Sequence, residues 1–165
     1  MDDFGSFIDS IRLNVNRHLK KIPIPDTPRY LYDPIRYSIR DGGKRFRPIL
    51  THLSGRANNI DSDALMKLSI AVELLHNFTL VHDDIMDDAP LRRGKETVYK
   101  KWNANIAILS GDVMLVQAYQ LLAKLPEIQL KKALTLFNKC AIEVCEGQQY
   151  DMDFETSTNI TIKEY

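Results

Sequence analysis

Apolar residues recur at steps of three and four along almost the whole sequence, and prolines and glycines interrupt the pattern where helix ends are due. Phe4, Phe7, Ile8, Ile11, Val15 and Leu19 mark an amphipathic helix that Pro23 and Pro25 close. Asp33 before Pro34 predicts an N-cap with proline at the first helical position, in a helix that stops at Asp41-Gly42-Gly43. Pro48 suits the first turn of a further helix running to about Arg56. Asp61 is expected to cap a long helix in which Leu65, Leu68, Val72, Leu75 and Phe78 repeat down to the acidic residues 83–88. Pro90, Arg92, Arg93 and Gly94 predict a loop, followed by helices over about 103–125 and 127–153 with Pro126 between them. No stretch alternates with period two under turn signals. The expected fold is therefore all-α, a bundle of about six helices.

At 165 residues, 44% hydrophobic and 27% charged, the chain suits one domain spanning residues 1–165 rather than a disordered or membrane-embedded protein. A chain of this size buries roughly 70% of its unfolded surface, so its core needs no disulfide or structural metal. Cys140 and Cys145, five apart in a helical stretch, form no paired-ligand zinc motif and are expected to be small buried apolar residues, as in a reducing cytosol. The N-terminus MDDFGSFIDSIR opens on acids and carries no secretory signal. The most apolar run, Ile106 to Val116, is broken by Ser110, Gly111 and Asp112 and is far shorter than the ~20 residues of a membrane span. No transmembrane segment and a cytoplasmic location are expected. Thr161-Ile162-Lys163-Glu164 reads as a capping box at the chain's end, either the start of a helix in a longer protein or a chance match.

The 22 basic and 22 acidic residues cancel, which disfavours a nucleic-acid or polybasic membrane binder. Locally they do not cancel. Residues 36–56 hold Arg36, Arg40, Lys44, Arg45, Arg47 and Arg56 against Asp41, a sum of +5. Residues 92–101 hold Arg92, Arg93, Lys95, Lys100 and Lys101 against Glu96, a sum of +4. Lys95, Lys100 and Lys101 are expected to form a solvated face. Gly42-Gly43 permits a tight turn that presents Lys44 and Arg47 to an anion, and Arg92 and Arg93 offer fork-shaped donors for phosphate oxygens.

Between these basic segments lies Asp83-Asp84-Ile85-Met86-Asp87-Asp88. On a helix, Asp83 and Asp87 fall one turn apart with Asp84 to one side, so three carboxylates share a patch. Their mutual repulsion, at the end of the helix dipole that disfavours acids, calls for a cation. Oxygen-only donors select a hard ion such as Mg²⁺, which completes its shell with water and substrate phosphates. Val72, His76, Thr79, Leu80 and Asp87 all fall near the Asp83 direction, a stripe suited to line a pocket. The bland alternatives are a solvated acidic helix end and, for His76, a satisfied core histidine.

The segments Gly42-Gly43-Lys44-Arg45-Phe46-Arg47-Pro48, Glu73-Leu74-Leu75-His76, Asp83-Asp84-Ile85-Met86-Asp87 and Arg92-Arg93-Gly94 resemble, in order and spacing, those of the trans-isoprenyl diphosphate synthases. Gly147-Gln148-Gln149-Tyr150-Asp151 resembles the family's later glycine–glutamine motif. The resemblance covers about residues 30–165 and implies an all-α, homodimeric prenyltransferase that joins isopentenyl diphosphate to an allylic diphosphate. It implies that Asp83, Asp84 and Asp87 hold Mg²⁺ against the allylic diphosphate, which Arg92 contacts. By the same resemblance Lys44, Arg47, His76 and Arg93 bind isopentenyl diphosphate, with Gln148 and Asp151 in supporting roles. Phe78 and Thr79, upstream of the aspartates, resemble the chain-length positions of short-chain enzymes that make geranylgeranyl diphosphate.

The family continues with a Lys-Thr segment and a second aspartate-rich motif, and neither occurs in these 165 residues. The expectation is thus the N-terminal half of a synthase, inactive by itself. Two other readings stand beside it: a non-catalytic subunit of a heteromeric prenyltransferase, and a class I terpene cyclase, which needs DDxxD but has no use for Lys44 and Arg47.

Overall fold

The structure, a computed structural model, describes residues 2–40, 42–157 and 159–162. Seven helices run through them: α1 (Asp2–Lys21), α2 (Arg29–Arg40), α3 (Phe46–Ala57), α4 (Ser62–Met86), α5 (Val98–Lys101), α6 (Ala104–Leu122) and α7 (Glu127–Glu155). The two-residue strands β1 (Leu91–Arg92) and β2 (Lys95–Glu96) form an antiparallel hairpin between α4 and α5. The all-α expectation holds, with a short α5 and this hairpin added. The chain divides into two compact units, Met1–Pro126 and Glu127–Tyr165.

In the first unit α4 is the central element, packing chiefly on α6 and α3 and also touching α1, α2 and α5. Its start is fixed as the sequence predicts: the Asp61 carboxylate accepts from the backbone N–H of Asp63 and Ala64. Leu65, Ile70, Ala71, Leu74 and Leu75 are buried along it, each large one contributing about 2 kcal/mol by leaving water. From α1 come Ile11, Val15 and Leu19, from α2 Ile35 and Ile39, and from α6 Met114, Ala118 and Leu122. Gly111 lets α6 approach α4 closely. A Cβ there would lie 2.4 Å from His82 Nε2, the atom that also meets the Ile108 carbonyl at 3.2 Å.

Two expectations fail for physical reasons. Asp33 is not an N-cap: α2 starts at Arg29, so Pro34 lies inside the helix, and the first-turn bonds run from Leu31 and Tyr32 to the Pro28 carbonyl. Proline removes the bond to residue 30, a loss that is mild because Tyr30 is solvent-exposed. Cys140 and Cys145 are exposed, because helical periodicity assigns a face without supplying anything to cover it, and Phe137 is the only buried side chain recorded on α7. Two helices, Ser62–Met86 and Ala104–Leu122, are long and apolar enough to cross a bilayer by length and composition alone. A core helix passes the same test, and more than half of the α4 window is buried inside the protein. Of the 161–164 capping box, Lys163 and Glu164 lie outside the described residues.

Candidate active site

The last turn of α4 carries the acidic cluster. Asp84 points inward and is buried, Asp83 is half-buried, and Asp87 is exposed at the helix C-cap, its N–H on the Asp83 carbonyl at 2.8 Å. Arg92 reaches Asp84 Oδ1 from the hairpin with both Nε and Nη2, each at 2.7 Å. Burial pushes the Asp84 carboxyl up, opposed by the Arg92 hydrogen bond and charge. Burial also raises Asp83, and the neighbouring charge of Asp87 raises it further.

Among the described residues no three acidic, histidine or cysteine side chains already form a metal cage. The reason is local: Asp84 has taken the nearest cation, Arg92. Chemically the set still fits Mg²⁺. It is all oxygen, and the repulsion between Asp83 and Asp87 is of the kind a divalent cation relieves.

The basic residues gather from three elements. Arg93 occupies the turn of the hairpin with φ 54°, followed by Gly94 at φ 78°, the two positive values of a type I′ turn. For arginine that backbone is strained. Its guanidinium donates to the Gly42 carbonyl at 2.6 Å and lies where a Cβ on Gly43 would be, 2.9 Å from Nη1. Arg47 Nη1 stands 3.2 Å from His76 Nε2, joining the start of α3 to α4. Burial, then the charges of Arg47, Arg93 and Arg92, bring the His76 pKa down to about 4, so its imidazole is neutral at pH 7. Lys44 is exposed, and its carbonyl accepts from Arg12 Nε at 3.3 Å. Arg47 and His76, 29 residues apart in sequence, thus come into contact, and the charges of Arg93 and of Arg92, the partner of Asp84, are also felt at that imidazole.

Other predicted residues land differently. The Phe78 ring packs edge-on against His82 with centroids 4.5 Å apart, and Thr79 Oγ1 donates to the His76 carbonyl at 2.9 Å. Val72, His76, Thr79 and Leu80 are all half-buried, yet the small cavity beside the aspartates takes in only Leu80 of that stripe. It lies instead on the Asp84 side, with Asn77, Val81, Arg92 and Thr97, and its roughly 30 Å³ is about one water's share. Gln148, half-buried, and Asp151, exposed, lie on α7 in the second unit.

The +5 segment shrinks as an anion site. Arg36 is held by Asp26, Asp33 and the carbonyls of Ile24 and Pro25, and Arg56 lies over the Phe7 ring. Arg45 is buried. Nor are Lys100 and Lys101 a merely solvated face. Lys100 Nζ pairs with Asp88 at 3.1 Å beside the Tyr99 hydroxyl, and Lys101 sits over the rings of Tyr37 and Trp102. The Tyr99 hydroxyl and the Lys100 ammonium both donate to Asp88 Oδ1, and these two bonds hold its carboxyl below the usual range. The role of Arg45 had one sequence signal: Glu73, a carboxylate among Ala71, Val72, Leu74 and Leu75, requires a buried cation.

A model of the Polyprenyl synthetase family matches residues 28–165. The geranylgeranyl diphosphate synthase of Methanosarcina mazei is 41% identical over 140 residues, 84% of this chain and 43% of that protein. The geranylgeranyl pyrophosphate synthase of Geoglobus acetivorans is 37% identical over 153 residues, 92% and 48% respectively. A crystal structure of a geranylgeranyl pyrophosphate synthase superposes with TM-score 0.92 at 46% identity, over 96% of this chain and 48% of that one. The chain therefore spans about half the length of the relatives it matches.

Proposed function

The chain belongs to the polyprenyl synthetase family, and from that premise we propose that its polar site binds two prenyl diphosphates as part of a short-chain trans-prenyltransferase forming geranylgeranyl diphosphate. The observation that carries this reading is the contact of Arg47 with His76, whose imidazole also feels the charges of Arg93 and of Arg92, the partner of Asp84. Arg92 beside the aspartates, and Arg47 and Arg93 about His76, offer fork-shaped donors for a pair of diphosphates, where a terpene cyclase has use for one.

In this proposal Asp83, Asp84 and Asp87 hold Mg²⁺, which supplies positive charge to neutralise the allylic diphosphate. Arg92, already aimed at that position by Asp84, donates to the same diphosphate. Arg47 and Arg93 hold the isopentenyl diphosphate through fork-shaped donors, Lys44 adds a mobile charge, and neutral His76 contributes an N–H without raising the local charge. The arginines stabilise the departing diphosphate as its C–O bond breaks and an allylic cation forms. The isopentenyl double bond attacks that cation, a C–C bond forms, and loss of a proton restores a trans double bond.

Phe78 and Thr79 are proposed to limit product length, Gln148 and Asp151 to support the site, and the working form to be a homodimer. The sequence holds a single DDxxD, so turnover by these 165 residues alone is not expected. The test is calorimetric titration with isopentenyl diphosphate and, separately, with pyrophosphate and Mg²⁺. Arg47→Ala should weaken the first at least tenfold, and Asp84→Asn should remove the Mg²⁺ dependence of the second. Affinities indifferent to both substitutions and to Mg²⁺ would sink the reading.

A further inference from the structure

The segment that presents Lys44 and Arg47 carries no regular secondary structure of its own between α2 and α3. Gly42, Gly43 and Arg45 all have positive φ there, 72°, 135° and 51°. Glycine adopts such a backbone freely, whereas arginine adopts it only where its surroundings compel it. Lys44 and Arg47 are exposed on either side of Arg45, which is buried. The Arg45 carbonyl accepts from the Ile49 N–H at 3.0 Å, a bond of the first turn of α3. Whatever fixes the Arg45 backbone therefore also fixes the helix start that carries Arg47.

The acceptors that hold its guanidinium differ in kind. Glu73 Oε1 takes Nη1 and balances the charge, and the Ile39 carbonyl takes Nη2 at 2.9 Å. Asn16 Oδ1, from α1, takes Nε at 2.8 Å and is neutral. A guanidinium only donates, so this contact turns the amide oxygen toward it. One turn earlier on the same face of α1, Arg12 Nε donates to the Lys44 carbonyl at 3.3 Å. Two side chains of α1 thus grip consecutive residues of the segment. Losing Glu73 would strand a buried charge. Losing Asn16 leaves the charges balanced and removes only a bond that orients the guanidinium.

We propose that Asn16 and Arg12 of α1 are positioning residues for the isopentenyl diphosphate site: they touch no substrate, and they hold the backbone of residues 44 and 45 so that Lys44 and Arg47 address one anion. The inference rests on the reading of Arg47 and His76 as diphosphate-binding residues. Its leverage comes from geometry, since a displacement of about 1 Å costs a positioned group up to about a hundredfold. Arg47 reports such a displacement directly, because its Nη1 stands 3.2 Å from His76 Nε2.

The experiment compares Asn16→Leu, Asn16→Asp, Arg12→Ala and the double variant Asn16→Leu with Arg12→Ala. Calorimetry gives the affinity for isopentenyl diphosphate and the Mg²⁺-dependent affinity for pyrophosphate. Proton NMR gives the His76 midpoint in the ligand-free chain, which burial and then the Arg47 charge bring down to about 4. The double variant should bind isopentenyl diphosphate at least about tenfold more weakly and pyrophosphate within about twofold of the parent. Its His76 midpoint should rise as Arg47 withdraws. Asn16→Asp keeps an acceptor and should bind isopentenyl diphosphate as the parent does. Val15→Ala, a cavity at a buried position of the same helix, is the control: its thermal midpoint should fall while isopentenyl diphosphate affinity and the His76 midpoint stay. An unchanged affinity and His76 midpoint in the double variant overturn the proposal, as does equal weakening of both ligands, the mark of general destabilisation. Asn16→Asp as weak as Asn16→Leu overturns the role of the hydrogen bond. A parent that binds no isopentenyl diphosphate defeats the reading of the site instead, and the His76 midpoint then decides by itself whether α1 positions Arg47.

Discussion

Arg45 Nη1 and Glu73 Oε1 meet at 2.5 Å with both side chains almost wholly buried, 3% and 4% exposed. The same guanidinium donates to Asn16 Oδ1 at 2.8 Å and to the Ile39 carbonyl at 2.9 Å. One arginine therefore joins α1, the end of α2 and α4, directly behind the glycines that receive Arg93. Its own backbone is left-handed, φ 51°, a conformation that places it where all three partners are within reach.

Removing one partner of this pair leaves a buried charge without compensation. Glu73→Ala is expected to cost about 3–5 kcal/mol in urea unfolding, and Arg45→Met with Glu73→Leu much less than the sum of the single changes. A single-variant cost below about 1 kcal/mol would show that water reaches the pair.

Gly43 has φ 135° and gives up its Cβ space to the Arg93 guanidinium. Gly43→Ala should weaken isopentenyl diphosphate binding about tenfold and cost about 1–3 kcal/mol from backbone strain. Gly5→Ala is the control: that helical position has open space, and the change should stabilise by up to about 1 kcal/mol.

Asp83 binds its proton more tightly in the folded chain than in the unfolded one, so its charge costs stability at neutral pH. That cost disappears as pH falls through the raised value toward the ordinary 3.8. Asp83→Asn should stabilise the chain at pH 7 by about 0.5 kcal/mol. The advantage should vanish in acid, and Mg²⁺ should raise the thermal midpoint of the parent but not of the variant. A variant less stable than the parent at pH 7 contradicts the repulsion.

His76 titrates with the opposite sign. Its pKa, lowered to about 4 from 6.5, makes the folded chain bind fewer protons than the unfolded one between those values, so its share of stability is full above pH 6.5 and is lost as pH falls toward 4. Proton NMR should place the His76 midpoint near 4 in the free chain. Adding pyrophosphate should move it upward, since an anion among the arginines offsets the charges that depress it. A midpoint near 6.5 without ligand would mean that the arginines do not face it.

The sequence by itself determined the helices, the cap at Asp61, the break at Gly42-Gly43 and the clustering of Asp83, Asp84 and Asp87 at one helix end. All of these are written in short-range signals: periodicity of three and four, cap residues, and charges spaced along one turn. It misplaced the start of α2, because Asp33-Pro34 carries a strong local signal that packing of Pro34 and Ile35 into the core overrides. It counted Arg36 and Arg45 in one basic run with Arg47, without saying what either would meet. Only the tertiary structure separates them, because Arg45 finds Glu73 28 residues away, Arg36 folds back on the segment before α2, and Arg47 alone meets His76. Likewise the pairing of buried Asp84 with Arg92 is a choice made by the hairpin that brings Arg92 within 2.7 Å. The physical reason is the same in each case. A side chain's type and helical face are local properties, whereas burial and ionic partner depend on which distant element arrives to exclude water.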